Sequence, residues 1–490
     1  MSAPVPGAAG GAAGGAAREA ARIAEASAVR PSGRQLAWQR MEFYSFIHFG
    51  MNTMTNREWG LGHEDPALFD PSGVDARQWV DAIASAGMTG VILTCKHHDG
   101  FALWPTAVSK HSVASSPWRG GRGDLVAEVA AACAERGLKF GVYLSPWDRT
   151  EASYGTGAAY DDFFVAQLTE LLTGYGEIFS VWFDGANGEG ANGRKQYYDW
   201  DRYYALVREL QPGAVINVCG PDVRWCGNEA GETRPDEWSV VPASLREAEG
   251  IASRSQQADD GAFSRRVLSD DTDLGSRAAL LASSDELVWY PAEVNTSTRV
   301  GWFHHPEEDS SVRSVEEMFS IYLSSVGGNA TFLLNVPPNR EGLVAAPDVA
   351  MLAALGERIR ALFDSDVAGA AAWTASSGSV ADGAWSPLAA GGAETLSLAW
   401  ETPVVLDGVA LREDITRGQQ VEDVSVSGVL EDGSRVVLAS ARSVGYQRIL
   451  SFAATEVVGL QVTVSAYRGP FSLASLAAFD SARHMSDAKR

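Results

Sequence analysis

From Glu42 to about Phe363 the chain alternates short apolar runs with longer segments of helical spacing. The strand candidates are Glu42–Phe49, Gly90–Thr94, Lys139–Leu144, Phe179–Phe183, Val215–Val218, Leu287–Val294 and Thr331–Val336. Helix candidates lie between and after them: Asp75–Ala86, Asp124–Arg136, Tyr160–Tyr175, Trp200–Leu210, Val315–Val326 and Pro347–Phe363. In the first, Val74, Trp79, Ile83 and Ala86 share one side and Gly87 supplies the stop. Short strands alternating with helices are βαβ units, whose strands pair in parallel. A run such as Phe179–Phe183, apolar at nearly every position, suits a strand covered on both faces. About seven or eight such units in roughly 330 residues predict an α/β fold, a (β/α)8-type, TIM-like barrel over residues 31–367.

Beyond about Ser377 the period changes. Short alternating segments follow, among them Thr395–Trp400, Gly408–Arg412, Val421–Leu430, Ser434–Ala439 and Leu460–Ser465, with turns such as Glu431-Asp432-Gly433 between them. They predict an all-β sandwich domain over residues 373–483. It gathers few acids or histidines, so it receives no chemistry, and both a sugar-binding module and a structural buttress stand as readings. Residues 1–30 are an Ala/Gly-rich tract read as a flexible leader, partly helical near Arg18–Glu25. The tract lacks a basic start followed by an aliphatic core, so the expectation is a cytoplasmic chain, with secretion as the alternative.

A formal net charge of -23, without basic clusters, argues against nucleic-acid and anionic-membrane partners. No run approaches the length and apolarity of a membrane span. Cys95, Cys133, Cys219 and Cys226 show no CxxC spacing and are read as free buried thiols. Several of the 15 Trp sit beside Gly, His, Asp or Glu, and aromatic faces next to carboxylates suit a carbohydrate site; core packing explains such Trp as well.

The polar residues His48, His97, His98, Tyr143, Asp184, Glu229 and Glu293 fall at or just beyond predicted strand ends, where a barrel keeps its one active mouth. Asp184 closes the Phe179–Phe183 strand, and Glu229 sits in the loop Gly220–Gly231 after the next strand. Two carboxyl groups across one hollow are what glycoside hydrolysis requires, one as nucleophile and one to protonate the departing oxygen. A turn-capping Asp184 and a solvated Glu229 are the plain alternatives. His97-His98-Asp99 admits a metal-dependent hydrolase, but adjacent histidines on a regular strand point to opposite faces and chelate poorly. Hydrogen bonding to a polyhydroxyl ligand, joined by His48 and Glu58, is the other reading; buried histidines satisfied by backbone are the third.

Taken together, Phe46-Ile47-His48-Phe49-Gly50, Glu58-Trp59-Gly60, Lys96-His97-His98-Asp99-Gly100-Phe101, Gly141-Val142-Tyr143, Trp182-Phe183-Asp184-Gly185, Gly327-Gly328-Asn329 and Leu333-Leu334-Asn335-Val336 resemble the glycoside hydrolase family 29 α-L-fucosidases. The likeness spans about residues 35–365. Tyr143–Arg149 and Gly220–Gly231 resemble the subgroup that prefers α-1,3/1,4-linked fucose on branched, Lewis-type glycans, and the C-terminal domain resembles a discoidin-like module. The resemblance implies a retaining α-L-fucosidase acting on a fucosylated oligosaccharide, without metal or organic cofactor. It implies Asp184 as nucleophile and Glu229 as acid/base, with Glu293 as second choice. It further implies a fucose pocket lined by His48, Glu58, Trp59, His97, His98, Tyr143, Trp182 and Glu293. A fucose-binding lectin that lacks turnover is the non-enzymatic alternative.

Overall fold

The computed structural model describes residues 8–255 and 273–480. Eight strands form the central parallel sheet: β1 (Phe43–Ile47), β2 (Gly90–Lys96), β3 (Lys139–Leu144), β4 (Ile178–Phe183), β5 (Val215–Val218), β6 (Arg224–Trp225), β7 (Ala292–Ser297) and β8 (Ala330–Asn335). Their order is β5-β4-β3-β2-β1-β8-β7-β6. The two edges meet at one parallel bridge, Asn217 to Val223, so the ring is nearly closed and the barrel expectation holds. Buried residues fill every position of β1, β2, β4, β5, β7 and β8, as strands between a packed interior and a shell of helices must be.

Local chemistry sets the helix ends. Asp75 caps the helix Ala76–Ser85 by accepting from the amides of Arg77 and Gln78, and Asp124 does the same for Leu125–Arg136 through Ala127. Gly137, at φ 76, closes the second of these in the left-handed conformation.

Three expectations change. Residues 1–30 are not wholly a flexible leader: Ala8–Ala28 is one helix. Ile23 and Ala26 are buried, and the Arg22 guanidinium donates to the carbonyls of Leu280 and Asp285. Alanine's helix propensity and these tertiary contacts outweigh the glycines. The single strand expected over Leu287–Val294 is two. Leu287–Trp289 pairs antiparallel with Val240–Pro242, then Tyr290-Pro291 breaks the run before β7. The loop after β5 holds a barrel strand of its own, β6, too short to leave a periodicity. Residues 256–272 of the polar stretch and 481–483 of the second domain lie outside the described residues.

The second domain is all-β as expected, antiparallel, beginning at Ala372 and running to Phe479. Glu394–Glu413 and Arg448–Tyr467, 20 residues each, pair along most of their length and link the other strands into one continuous path. The separate runs Thr395–Trp400 and Gly408–Arg412 are therefore one bent strand, its register shifted between Ala399 and Val404. Leu396, Leu398, Val409, Val424, Leu460 and Val462 belong to a core separate from that of the barrel.

Candidate active site

The C-terminal ends of the barrel strands converge on one partly open cavity. Of the residues named from sequence, His48, Trp59, His97, His98, Tyr143, Trp182, Asp184 and Glu229 line it, joined by Phe46, Ala186 and Trp302. β2 ends at Lys96, so His97 and His98 are past the strict alternation of a strand and both reach the cavity. Tyr143 forms one wall. Its ring stacks on Trp182 at 5.3 Å and on His97 at 5.7 Å.

The two acids that line the cavity sit in different settings. Asp184 accepts hydrogen bonds at both oxygens: Oδ2 from the Tyr143 hydroxyl at 2.8 Å and Oδ1 from the Ala186 amide at 2.7 Å. His98 Nε2 lies 3.8 Å from Oδ2. These bonds aim a carboxylate and leave it facing the cavity. Glu229 is pushed up to about 8 by burial, with the negative charge of Asp184 adding to the shift and a hydrogen bond with Trp302 opposing it. One carboxyl group is thus oriented by donors and the other holds its proton at neutral pH, a division of environments that separates acid from nucleophile.

The three histidines are fixed in particular tautomers by their neighbours. Asn335 Nδ2 donates to Ser297 Oγ and the Trp302 carbonyl, so Asn335 Oδ1 must accept from His48 Nδ1, at 2.8 Å. His48 Nε2 therefore carries a lone pair. Asn52 Nδ2 donates to the Glu58 carbonyl at 2.8 Å and faces His97 Nδ1 at 3.2 Å, which makes His97 Nδ1 an acceptor and Nε2 a donor. The Ser145 hydroxyl donates to the Trp147 carbonyl at 2.6 Å, so it accepts from His98 Nδ1, at 2.8 Å, and His98 Nε2 is an acceptor. Burial keeps the rings neutral, lowering His48 to about 3, His98 to about 4 and His97 well below its ordinary value. A ligand meets an acceptor, a donor and an acceptor, a set made for hydroxyl groups.

Glu58 and Glu293 are placed elsewhere than expected. The Glu58 carboxylate accepts from the amides of Trp302 and Phe303, at 2.9 and 3.2 Å, and from His305 Nε2 at 2.7 Å. It therefore shapes the loop that presents Trp302 instead of lining the cavity. A Cβ at Gly301 would overlap that carboxylate and push it aside. Glu293 stands near the start of β7, at the barrel floor, and is fully buried. It accepts from Tyr44 Oη, from Asn217 Nδ2 at 2.6 Å and from Trp182 Nε1 at 2.9 Å. With both oxygens engaged below Trp182 it does not line the cavity. The Asp99 carboxylate accepts from the Phe101 amide at 2.8 Å, outside the cavity, and the described residues hold no group of three or more His, Cys, Asp or Glu suited to a metal ion.

Trp302, Asn335 and Asn52 escaped the sequence reading. Val300-Gly301-Trp302-Phe303-His304-His305 follows β7 as His97-His98 follows β2, and the strand-exit rule applied there would have found it. Asn335 ends β8 and the same rule reaches it, whereas Asn52 had no signal, because its role exists only through the imidazole packed on it.

A sequence model of the α-L-fucosidase family matches residues 39–234. α-L-Fucosidase 1 of Arabidopsis thaliana is 38% identical over 442 residues, which are 86% of this chain and 81% of that protein. The chain belongs to the α-L-fucosidase family. As a fucosidase it also matches solved structures of glycoside hydrolase family 29. A member from an unknown rumen bacterium has 34% identity and a TM-score of 0.77, covering 93% of this chain and 78% of the other. A Ruminococcus gnavus fucosidase, solved in complex with fucose, has 26% identity and a TM-score of 0.79, covering 93% and 96%. The enzyme is an α-L-fucosidase, and the cavity at the barrel mouth is its candidate active site.

Proposed function

We propose that this fucosidase is a retaining enzyme, with Asp184 as nucleophile and Glu229 as acid/base, that releases terminal α-1,3/1,4-linked L-fucose from branched, Lewis-type glycans. The observation that carries the mechanism is the pairing of Asp184 and Glu229 on one cavity in unlike settings. In the first step an Asp184 oxygen forms a bond to the anomeric carbon as the glycosidic bond breaks. Glu229 gives its proton to the leaving oxygen, so the aglycone departs as an alcohol. In the second, Glu229 takes a proton from water, whose oxygen attacks the anomeric carbon and frees the Asp184 carboxylate.

Fucose offers hydroxyl groups and an apolar methyl-bearing edge. The neutral imidazoles suit the former, and the faces of Trp59, Trp182 and Trp302 suit the latter. That the Ruminococcus gnavus relative was solved in complex with fucose supports fucose as the sugar this pocket receives. For linkage preference the support is the resemblance of Tyr143–Arg149 and Gly220–Gly231 to the branched-glycan subgroup. An activity screen comparing an aryl fucoside, an α-1,2-fucosyl oligosaccharide and branched α-1,3/1,4-fucosyl oligosaccharides tests it. Among the oligosaccharides, turnover of the branched substrates well above that of the α-1,2-linked one is expected, and preference for the α-1,2 linkage would overturn the assignment.

A further inference from the structure

Glu229 rides on the chain between β6 and the strand Val240–Pro242. This segment leaves the barrel at Cys226 and reaches the β domain at Pro235–Ser239. There the second domain grips it through the backbone of Pro235, Glu237 and Ser239 and the side chain of Asp236. Arg448 Nη1 donates to the Pro235 carbonyl at 2.8 Å. The backbone amide and Nε of Arg442 donate to the Asp236 carboxylate at 3.0 and 3.1 Å. Ser443 Oγ donates to the Glu237 carbonyl at 3.3 Å, and Gln419 Oε1 accepts from the Ser239 amide at 2.7 Å. Gln419, Ser443 and Arg448 are buried, so these bonds are shielded from competing water.

The Glu237 side chain turns the other way, into the barrel. It accepts from Arg224 Nη2 at 2.7 Å and from Arg234 Nη1 at 2.9 Å, and Arg234 Nη1 also donates to the Cys226 carbonyl at 2.9 Å. This buried ion triad ties the two feet of the Glu229 loop together. Burial alone would raise the Glu237 carboxyl, but the two guanidiniums hold it below its usual range. Inside the loop, Asn228 Oδ1 accepts from the amides of Ala230 and Glu232, and Arg313 donates to the Ala230 carbonyl. At its other origin the chain leaves β5 through Val218 at φ 62, a costly conformation for a β-branched residue. Barrel contacts hold that path: the Cys219 amide donates to the Phe183 carbonyl, and the Tyr204 and Tyr290 hydroxyls donate to the carbonyls of Cys219 and Gly220.

A general acid contributes only when its carboxyl group is held within hydrogen-bond reach of the departing oxygen, to within about 0.5 Å of the productive position, and a loop by itself holds position less well than a helix or strand. We propose that the β domain is a clamp on the acid/base loop, with Arg448, Gln419 and Arg442 as positioning residues for Glu229. The proposal rests on the reading of Glu229 as acid/base, and its test separates the two.

The decisive measurement is kcat/KM of the full chain on a dinitrophenyl α-L-fucoside, whose leaving group departs without a proton, and on a branched fucosyl oligosaccharide, whose leaving group needs one. Glu229→Ala is the reference and is expected to lose far more on the oligosaccharide. Arg448→Met is expected to lose roughly tenfold or more on the oligosaccharide and less than about threefold on the aryl substrate, since acid assistance is worth roughly 10²–10⁴. Hydrogen exchange of amides 226–236 is expected to accelerate. Arg442→Ala, at a half-exposed side chain, gives the same comparison without opening the core and is expected to show the same bias to a smaller extent. Equal losses on both substrates, or no loss on either, while Glu229→Ala keeps its leaving-group dependence, would overturn the clamp alone. A Glu229→Ala variant with no leaving-group dependence would remove the acid assignment and the clamp with it.

Discussion

The Tyr143 hydroxyl donates to Oδ2 of Asp184 at 2.8 Å, and the Tyr143 ring stacks on Trp182, whose indole N–H is held by Glu293 at the barrel floor. A line of contacts thus runs from the fully buried Glu293 to the carboxylate assigned the attack. Asp184→Ala is expected to lose nearly all turnover. Tyr143→Phe keeps the ring stack and removes one hydrogen bond to a charged group, worth about 1.5–3 kcal/mol, so kcat/KM should fall roughly tenfold to a hundredfold. Steady-state kinetics on an aryl fucoside checks both, and wild-type rates from Asp184→Ala would end the nucleophile assignment.

The acid must carry its proton into the first step, and Glu229, raised to about 8, does so on the acidic side of that value. The profile of kcat/KM against pH should therefore hold through neutrality and fall above about 8, by roughly tenfold per pH unit. Glu229→Gln should abolish that limb. Azide should restore turnover to Glu229→Ala on an activated aryl fucoside, by occupying the space of the missing carboxyl group. An alkaline limb that survives in Glu229→Gln would place the titrating group elsewhere.

The acceptor–donor–acceptor set of His48, His97 and His98 discriminates hydroxyl groups by the direction of their protons. Fluorine can only accept, weakly, and so should be tolerated opposite His97 Nε2–H and rejected opposite the lone pairs of the other two. Inhibition constants of a deoxyfluoro-fucose series should split accordingly, with the rejected positions losing roughly tenfold or more because a buried acceptor is left without a partner. Nitrogen-15 shifts of the imidazoles should report Nδ1–H for His48 and His98 and Nε2–H for His97. Asn335→Leu should disturb the first of these.

Stability should fall as pH rises from about 6.5 to 8. Burial raises Asp99 and Glu229 to about 8 and Glu293 and Glu413 to about 7. The folded chain therefore keeps protons there that the unfolded chain releases near pH 4, so their contribution to stability drops from about pH 4 to pH 8 and is gone above it. His48, His97 and His98 are depressed by burial, so below 6.5 the unfolded chain takes up protons the fold refuses, and stability drops as pH falls. Thermal unfolding should give a Tm that falls between about pH 6.5 and 8, where the histidines no longer oppose the carboxyl groups. A Tm still rising at pH 9 would contradict the burial of these carboxyl groups.

Chelation should leave the enzyme untouched. His97 and His98 commit their Nδ1 atoms to Asn52 and Ser145, and the Asp99 carboxylate accepts from a backbone amide outside the cavity. Turnover after dialysis against EDTA should match that of the untreated enzyme, and a loss restored by zinc would revive a metal mechanism for this site.

The amino-acid sequence by itself determined the barrel, because βαβ alternation and doubly covered strands leave a periodic record in the residues that form them. It also determined the ring of strand-exit residues, since an acid or imidazole placed directly after an apolar strand has one destination in such a fold. The tertiary structure decided the rest. Glu58 and Glu293 look from the sequence like pocket acids, yet one binds the loop of Trp302 and the other supports Trp182 from below, because orientation depends on partners about 110 to 250 positions away. The role of the β domain was equally hidden. Its hold on Pro235–Ser239 arises from backbone carbonyls and buried side chains brought together across the two domains, and contacts of that kind follow no sequence period.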